Sequence, residues 1–351
     1  MVRQPRFEDP PDSSPAVAFS RSPKPLSTER SCDAIGNRKD SNPDEQREAL
    51  LLSIISSASV LARSCTSLDD LQMMSDTLQD MSLAAETFSS YSNRPKCTFF
   101  GGVRVGAEDE NYQLARALAA ELVCRGFMVI TGGGGGIMAA AQQGAGAANS
   151  FGLRIDLPFE NHPNETIRGD SKLINYKYFF ARKIGLAKET NAFIVFPGGF
   201  GTLDETYEVL NLMQTGKSPI VPLVLIDHPG GNYWQKWKRF VVSDLLENGF
   251  ISESDLQLFT IANQVDTAAD HISDFYRTVA SCRRRGSRIH VTLRQPLSER
   301  LLATLNRDLS HLLDDGGLEF ESEPVPQLIF TPKNLPCLSW RQLLDAIIPT
   351  A

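Results

Sequence analysis

The chain has 351 residues, 42% of them hydrophobic, and a formal net charge of −7. The length exceeds one typical domain, and the composition suffices for a sizeable core. The acidic balance excludes a general polyanion-binding surface, so no nucleic-acid partner is expected, although local arginine clusters stay open. Six cysteines (Cys32, Cys65, Cys97, Cys124, Cys282, Cys337) contain no CxxC pair, and the five histidines are dispersed. Neither a metal site nor a disulfide framework is therefore expected. No apolar stretch reaches the length of a membrane span and no signal-peptide core follows the start, so the expected location is the cytoplasm, with no membrane partner.

Residues 1–46 are rich in Pro and Ser and poor in large aliphatics, which predicts a disordered tail. Residues 47–94 predict a helical arm: Leu50, Leu51, Ile54 and Ile55 recur at helical spacing, then Leu68, Leu71, Met74, Leu78 and Met81. Asp69 and Asp70 mark a helix start there. A strand–helix alternation follows: strand 97–103, helix 109–125, strand 127–130, a glycine loop 131–136, helix 137–147 and strand 153–157. It continues with helix 178–189, strand 192–196, helix 202–214, strand 220–226 and helix 233–247. Strands without polar alternation, separated by helices, predict a parallel sheet covered on both faces. The expected fold is α/β, a doubly wound Rossmann-like layer over residues 95–284, with ligands at the carboxyl ends of its strands. After residues 266–282, Arg283-Arg284-Arg285-Gly286 reads as a solvated junction or a contact for an anionic ligand. Residues 285–351 predict a small α+β appendage: strand 287–295, helix 298–313, strand 326–330 and helix 340–348.

Two glycine loops fall at strand ends. Thr131-Gly-Gly-Gly-Gly-Gly-Ile-Met138 alone is weakly specific, because such turns serve dinucleotides, nucleotides and phosphates alike. No GK[ST] follows, which excludes a Walker loop, and no second half of a dinucleotide fold is visible. Pro197-Gly-Gly-Phe-Gly-Thr-Leu-Asp-Glu205 says more. It joins the apolar run 192–196 to a helix with Leu203, Tyr207, Leu210 and Met213 on one side. Glycines let the backbone approach a ligand, and first-turn amides attract an anion. Glu205 lies one turn into that helix, beside whatever the anion is attached to. The segment Tyr178-Phe-Phe-Ala-Arg-Lys183 feeds the strand that carries this loop, which allows Arg182 and Glu205 to meet over one pocket. By itself, an Arg-Lys pair on a helix is as well explained by a solvated face.

The glycine loop, the Arg-Lys helix and PGGxGTxxE together resemble the LOG (Lonely Guy) family, the cytokinin riboside 5′-monophosphate phosphoribohydrolases once labelled "lysine decarboxylase". The resemblance covers roughly residues 95–282, and Arg182 and Glu205 stand 23 positions apart, as in the family pattern. The segment 153–160, Asn164 and Gln214-Thr-Gly-Lys217 look like the longer branch of that family, which is related to nucleotide 5′-monophosphate nucleosidases. The resemblance implies Arg182 and Glu205 as the catalytic pair. It implies a phosphate seat of Gly198, Gly199, Gly201 and Thr202, helped by Gly133, Gly134 and Met138, with Lys183 alongside. It also implies a nucleoside 5′-monophosphate substrate, no cofactor and a homo-oligomer. Gly102 stands where the family usually has serine, and Ala139 where the longer branch has glutamate; both bear on substrate preference. The expected reaction is hydrolysis of the N-glycosidic bond, giving free base and ribose 5-phosphate. The alternative is a non-catalytic nucleotide or molybdenum-cofactor carrier. Lysine decarboxylation would need pyridoxal phosphate, for which no motif is present.

Overall fold

The structure is a computed structural model that describes residues 42–64, 66–155, 162–285, 287–333 and 346–347. The expected tail up to residue 41, strand residues 156–157 and most of the helix expected at 340–348 lie outside the described residues. The chain divides into two compact units, residues 1–57 and 58–351. Helix α1 (Pro43–Arg63) exposes Leu50, Leu51, Ile54 and Ile55. Helix α2 (Leu68–Ser89) starts at Ser67, whose hydroxyl accepts from the Asp70 amide. It buries Ala84 and Phe88, the latter stacked on Phe151 at 4.5 Å, and Asp80 accepts from the Lys177 amide at 2.8 Å.

Seven parallel strands follow: β1 (Lys96–Phe100), β2 (Met128–Thr131), β3 (Ser150–Ile155), β4 (Leu173–Tyr176), β5 (Ala192–Val195), β6 (Leu223–Ile226) and β7 (Thr260–Ala262). Their spatial order is β4-β3-β2-β1-β5-β6-β7. Helices α3 (Glu110–Cys124), α4 (Ile137–Ala145), α5 (Phe179–Lys188), α6 (Phe200–Gln214) and α7 (Tyr233–Phe240) lie between them, and α8 (Val265–Thr278) follows β7. Successive strand residues enter two different buried clusters. Phe100, Met128, Ile130, Phe193 and Val195 belong to one; Cys97, Phe99, Val129, Ile194 and Phe196 belong to the other. With side chains alternating across a strand, both sheet faces are therefore covered, which is why the strands are apolar throughout. The α/β Rossmann-like layer expected from the sequence is present.

Strand order reverses at β1. The chain steps outward from β1 to β4, then returns to place β5 on the other side of β1. Such a switch point leaves a crevice beyond the carboxyl ends of the two strands. Those ends are Phe100-Gly101-Gly102 and Val195-Phe196-Pro197, so the topology itself aims the PGG loop at the crevice.

The C-terminal region departs from its expected elements. Helix α8 ends at Thr278 and the chain continues as strand β8 (Val279–Arg285), which pairs antiparallel with β9 (Arg288–Leu293), where the sequence suggested a junction. The three arginines are thus strand residues: Arg283 is the register partner of His290, and Arg285 that of Arg288. Burial of Val279 and Cys282 against the core draws the segment into the sheet. The helix expected at 298–313 is shorter, α9 (Glu299–Asp308), and Leu313–Glu321 forms strand β10. Asp-Asp-Gly-Gly is poor strand sequence; pairing with β11 (Gln327–Pro332) and burial of Leu313 and Leu318 override the propensity, at the cost of a bulge. The four strands order as β10-β11-β9-β8. Strands β4 and β7 escape sequence reading because β7 has only three residues and β4, Leu-Ile-Asn-Tyr, is interrupted by an exposed Asn175 rather than apolar throughout. The expected helix 233–247 is α7 followed by a π-helical turn, Val241–Leu246.

Candidate active site

Three loops meet beyond β1, β2 and β5. The Gly102 amide donates to the Pro197 carbonyl (3.0 Å), and the Gly102 carbonyl accepts from the Ile137 amide (3.1 Å). The first bond ties the β1 loop to the PGG loop; the second caps the start of α4. Gly136 has φ +62°, and a Cβ there would lie 2.1 Å from the Gly102 carbonyl oxygen, so only glycine permits this approach. At Gly102 a Cβ would stand 3.0 Å from Val105, which fits glycine in place of the family's serine.

The loops border a cavity of about 600 Å³. Arg182 and Glu205 both line it, together with Gly199, Gly201, Thr202 and Met138 from the sequence reading. Arg182 Nη2 lies 3.4 Å from Glu205 Oε1, at the long limit of a hydrogen bond. Their side chains are only 17% and 9% exposed. The Arg182 guanidinium stands 5.5 Å from the Phe179 ring centre, and its buried Nε has no hydrogen-bond partner among the described residues. The guanidinium thus retains donors that the protein leaves unused. Burial pushes the Glu205 carboxyl above the usual carboxylate range, and the Arg182 and Lys183 charges only partly offset this.

The seat at the start of α6 is unevenly built. A Cβ on Gly198 would lie 2.1 Å from Thr202 Oγ1, and its carbonyl accepts from the Tyr233 hydroxyl at 2.7 Å. Gly198 therefore packs beneath the loop. Gly199 and Gly201 have open space where a side chain would go, and both face the cavity. Helix α6 has no side-chain cap, which leaves first-turn amides for a ligand.

Some expected residues sit elsewhere. Gly133 and Gly134 do not border the cavity; their carbonyls accept from Asn164 Nδ2 at 3.1 and 2.9 Å, while Gly132 borders it instead. Lys183 turns away from the cavity that holds Arg182, its ammonium paired with Asp204 (2.8 Å) and Glu208 (3.1 Å) at a neighbouring hollow. Sequence reasoning missed Val103, Arg104, Phe179 and Phe200, all of which line the cavity. A prediction of strand order would have flagged the β1 end. Among the described residues, no group of three or more His, Cys, Asp or Glu is placed to hold a metal ion, and no helix is long and apolar enough to cross a membrane.

Fold and site together define a Rossmann-like α/β protein with a ligand cavity at its topological switch point. Residues 126–272 match the family described as "Possible lysine decarboxylase". A probable cytokinin riboside 5′-monophosphate phosphoribohydrolase from Oryza sativa subsp. japonica is 32% identical over 94 residues, covering 27% of this chain and 43% of that protein. The chain thus spans about two-fifths of the length of that relative. A cytokinin riboside 5′-monophosphate phosphoribohydrolase from Mycobacterium marinum is 27% identical over 160 residues, 45% of this chain and 83% of that one. These matches show the resemblance to the LOG family drawn from the motifs. Among solved structures, the molybdenum cofactor carrier protein of Chlamydomonas reinhardtii is 21% identical, covering 51% of this chain and 96% of that chain, with a TM-score of 0.37.

Proposed function

We propose that the protein hydrolyses the N-glycosidic bond of a nucleoside 5′-monophosphate, releasing the free base and ribose 5-phosphate. The observation that carries this reading is the pairing, in one cavity, of a buried carboxylate at Glu205 with uncapped amides at the start of the same helix. The amides of the 199–202 turn, with Arg104 at the cavity wall, suit the phosphate. The phosphate then fixes the sugar so that C1′ faces Glu205, and its binding energy goes toward orientation.

As the C1′–N bond breaks, positive charge grows on C1′ and the ring oxygen. The Glu205 carboxylate stabilises that charge and accepts a proton from the attacking water, whose oxygen bonds to C1′. The base leaves with the C1′–N electron pair and takes up that proton from Glu205, directly or through solvent, which restores the carboxylate. A carboxyl pushed up by burial is a stronger base than an exposed one. Arg182 orients Glu205 and donates to the sugar or base; its permanently charged guanidinium makes it no proton source.

The test is incubation with a panel of nucleoside 5′-monophosphates, followed by chromatography for free base. Release of base that depends on the 5′-phosphate, and that Glu205→Gln slows about 10²–10³-fold, is the expected result. Tight binding of the nucleotide with no base released refutes hydrolysis.

A further inference from the structure

A second cavity, of about 500 Å³, opens on another face of α6. Neighbouring residues serve the two hollows: Arg182 and Glu205 face the first, while Lys183, Asp204 and Glu208 face the second. Its walls are aromatic. Trp237 lies 5.1 Å from Phe259 and 6.0 Å from Tyr207, ring centre to ring centre, and its indole N–H donates to the Tyr207 hydroxyl at 2.9 Å. Val241 and Leu245 enter the lining from the π-helical turn that prolongs α7, a geometry found disproportionately at functional sites.

Charge selects the ligand. Asp204, Glu208 and Asp255 stand against a single cation, Lys183, whose ammonium already bridges the first two. Asp255 is held in place by the Ser252 amide (2.7 Å) and Gln214 Nε2 (2.8 Å). The surplus is negative, so a phosphate or carboxylate is disfavoured and the hollow is no second nucleotide seat. Aromatic faces likewise attract cations. The volume lies in the range of small-molecule sites. We propose that this cavity binds an organic ammonium ion with an apolar body, the amine at Asp204 and Glu208 and the body among Tyr207, Trp237 and Phe259.

Phenethylamine, phenethyl alcohol and hydrocinnamate, which share a ring but differ in charge, are the probes. Binding is read from the indole N–H resonance of Trp237, compared with that of Trp234, which is fully buried outside the cavity lining. The amine is expected to saturate, to move the Trp237 signal more than that of Trp234, and to bind about tenfold more tightly than the alcohol, with the acid weakest. In the Asp204→Asn/Glu208→Gln variant the order should invert, since Lys183 is then released. Both substituted side chains are partly exposed, at 62% and 31%, so the fold tolerates them. Equal binding of amine and acid, absence of a Trp237 shift, or an unchanged preference in the double variant each overturns the proposal. The readout needs no turnover, so its failure is distinct from failure of the hydrolase reading.

Discussion

Replacing Glu205 by Gln separates a catalytic carboxylate from a structural ion pair. At 3.4 Å and an effective dielectric of about 20, attraction between Arg182 and Glu205 is on the order of 5 kcal/mol. Burial outweighs it, because the carboxyl is pushed above its ordinary range. The ionised form is thus the costly one in the folded protein, and an isosteric amide removes that cost. Turnover should fall about 10²–10³-fold, roughly 3–4 kcal/mol of transition-state stabilisation, while the thermal midpoint at neutral pH rises. The pH dependence has a definite sign. A carboxyl whose folded pKa lies above its unfolded value favours the folded state fully below the unfolded value, and that contribution is lost as pH rises through the folded one. Melting curves of variant and wild type should therefore converge at acid pH and separate above the carboxylate range. Base release by chromatography and calorimetric melts across pH measure both effects. A structural pair predicts the reverse: losing one partner of a buried pair costs about 3–5 kcal/mol, a fall on the order of 10 °C here. Such a fall with turnover retained would refute the reasoning.

Arg182→Ala should lower turnover about 10²-fold, and Arg182→Lys should not restore it, since an ammonium lacks the planar fork that reaches carboxylate and sugar together; steady-state kinetics on the active nucleotide decides. Gly136→Ala forces a Cβ into the Gly102 carbonyl at φ +62° and should cost more than about 2 kcal/mol in denaturant unfolding. Gly201→Ala has open space and should leave unfolding within about 0.5 kcal/mol while raising KM, because the methyl protrudes into the cavity. Tyr233→Phe removes the hydroxyl that fixes the Gly198 carbonyl and should weaken nucleotide binding roughly two- to tenfold, measured by calorimetric titration.

Residues 192–214 disclosed a strand, a turn and a helix because an apolar run, glycine, proline and helical spacing are local signals. The division of labour among the glycines was not legible there. Thr202 and Gly102 press against Gly198, whereas Gly199 and Gly201 have open space at the cavity, and both environments depend on packing from distant segments. Lys183 illustrates the same limit. Its ammonium pairs with Asp204 and Glu208 of α6, contacts between two helices that no local pattern encodes. Arg104 carries no motif; only the position of β1 beside β5 makes its loop part of the site.

That position also explains why the candidate pair comes from elements 23 residues apart rather than from one loop. In a parallel sheet every strand end feeds the same edge, but only at β1 and β5 do the following connections run to opposite sides. The gap they leave is lined by the start of α6, with α5 above it carrying Arg182. A helix start supplies positive potential at its amides, while Glu205, one turn further in, supplies the opposite sign. Phosphate and the anomeric carbon of a nucleotide differ in the same sense: one is an anion, and the other becomes a cation as the base leaves. On the proposed reading, helix α6 presents each charge to the group that needs it, which neither the glycines nor the carboxylate does alone.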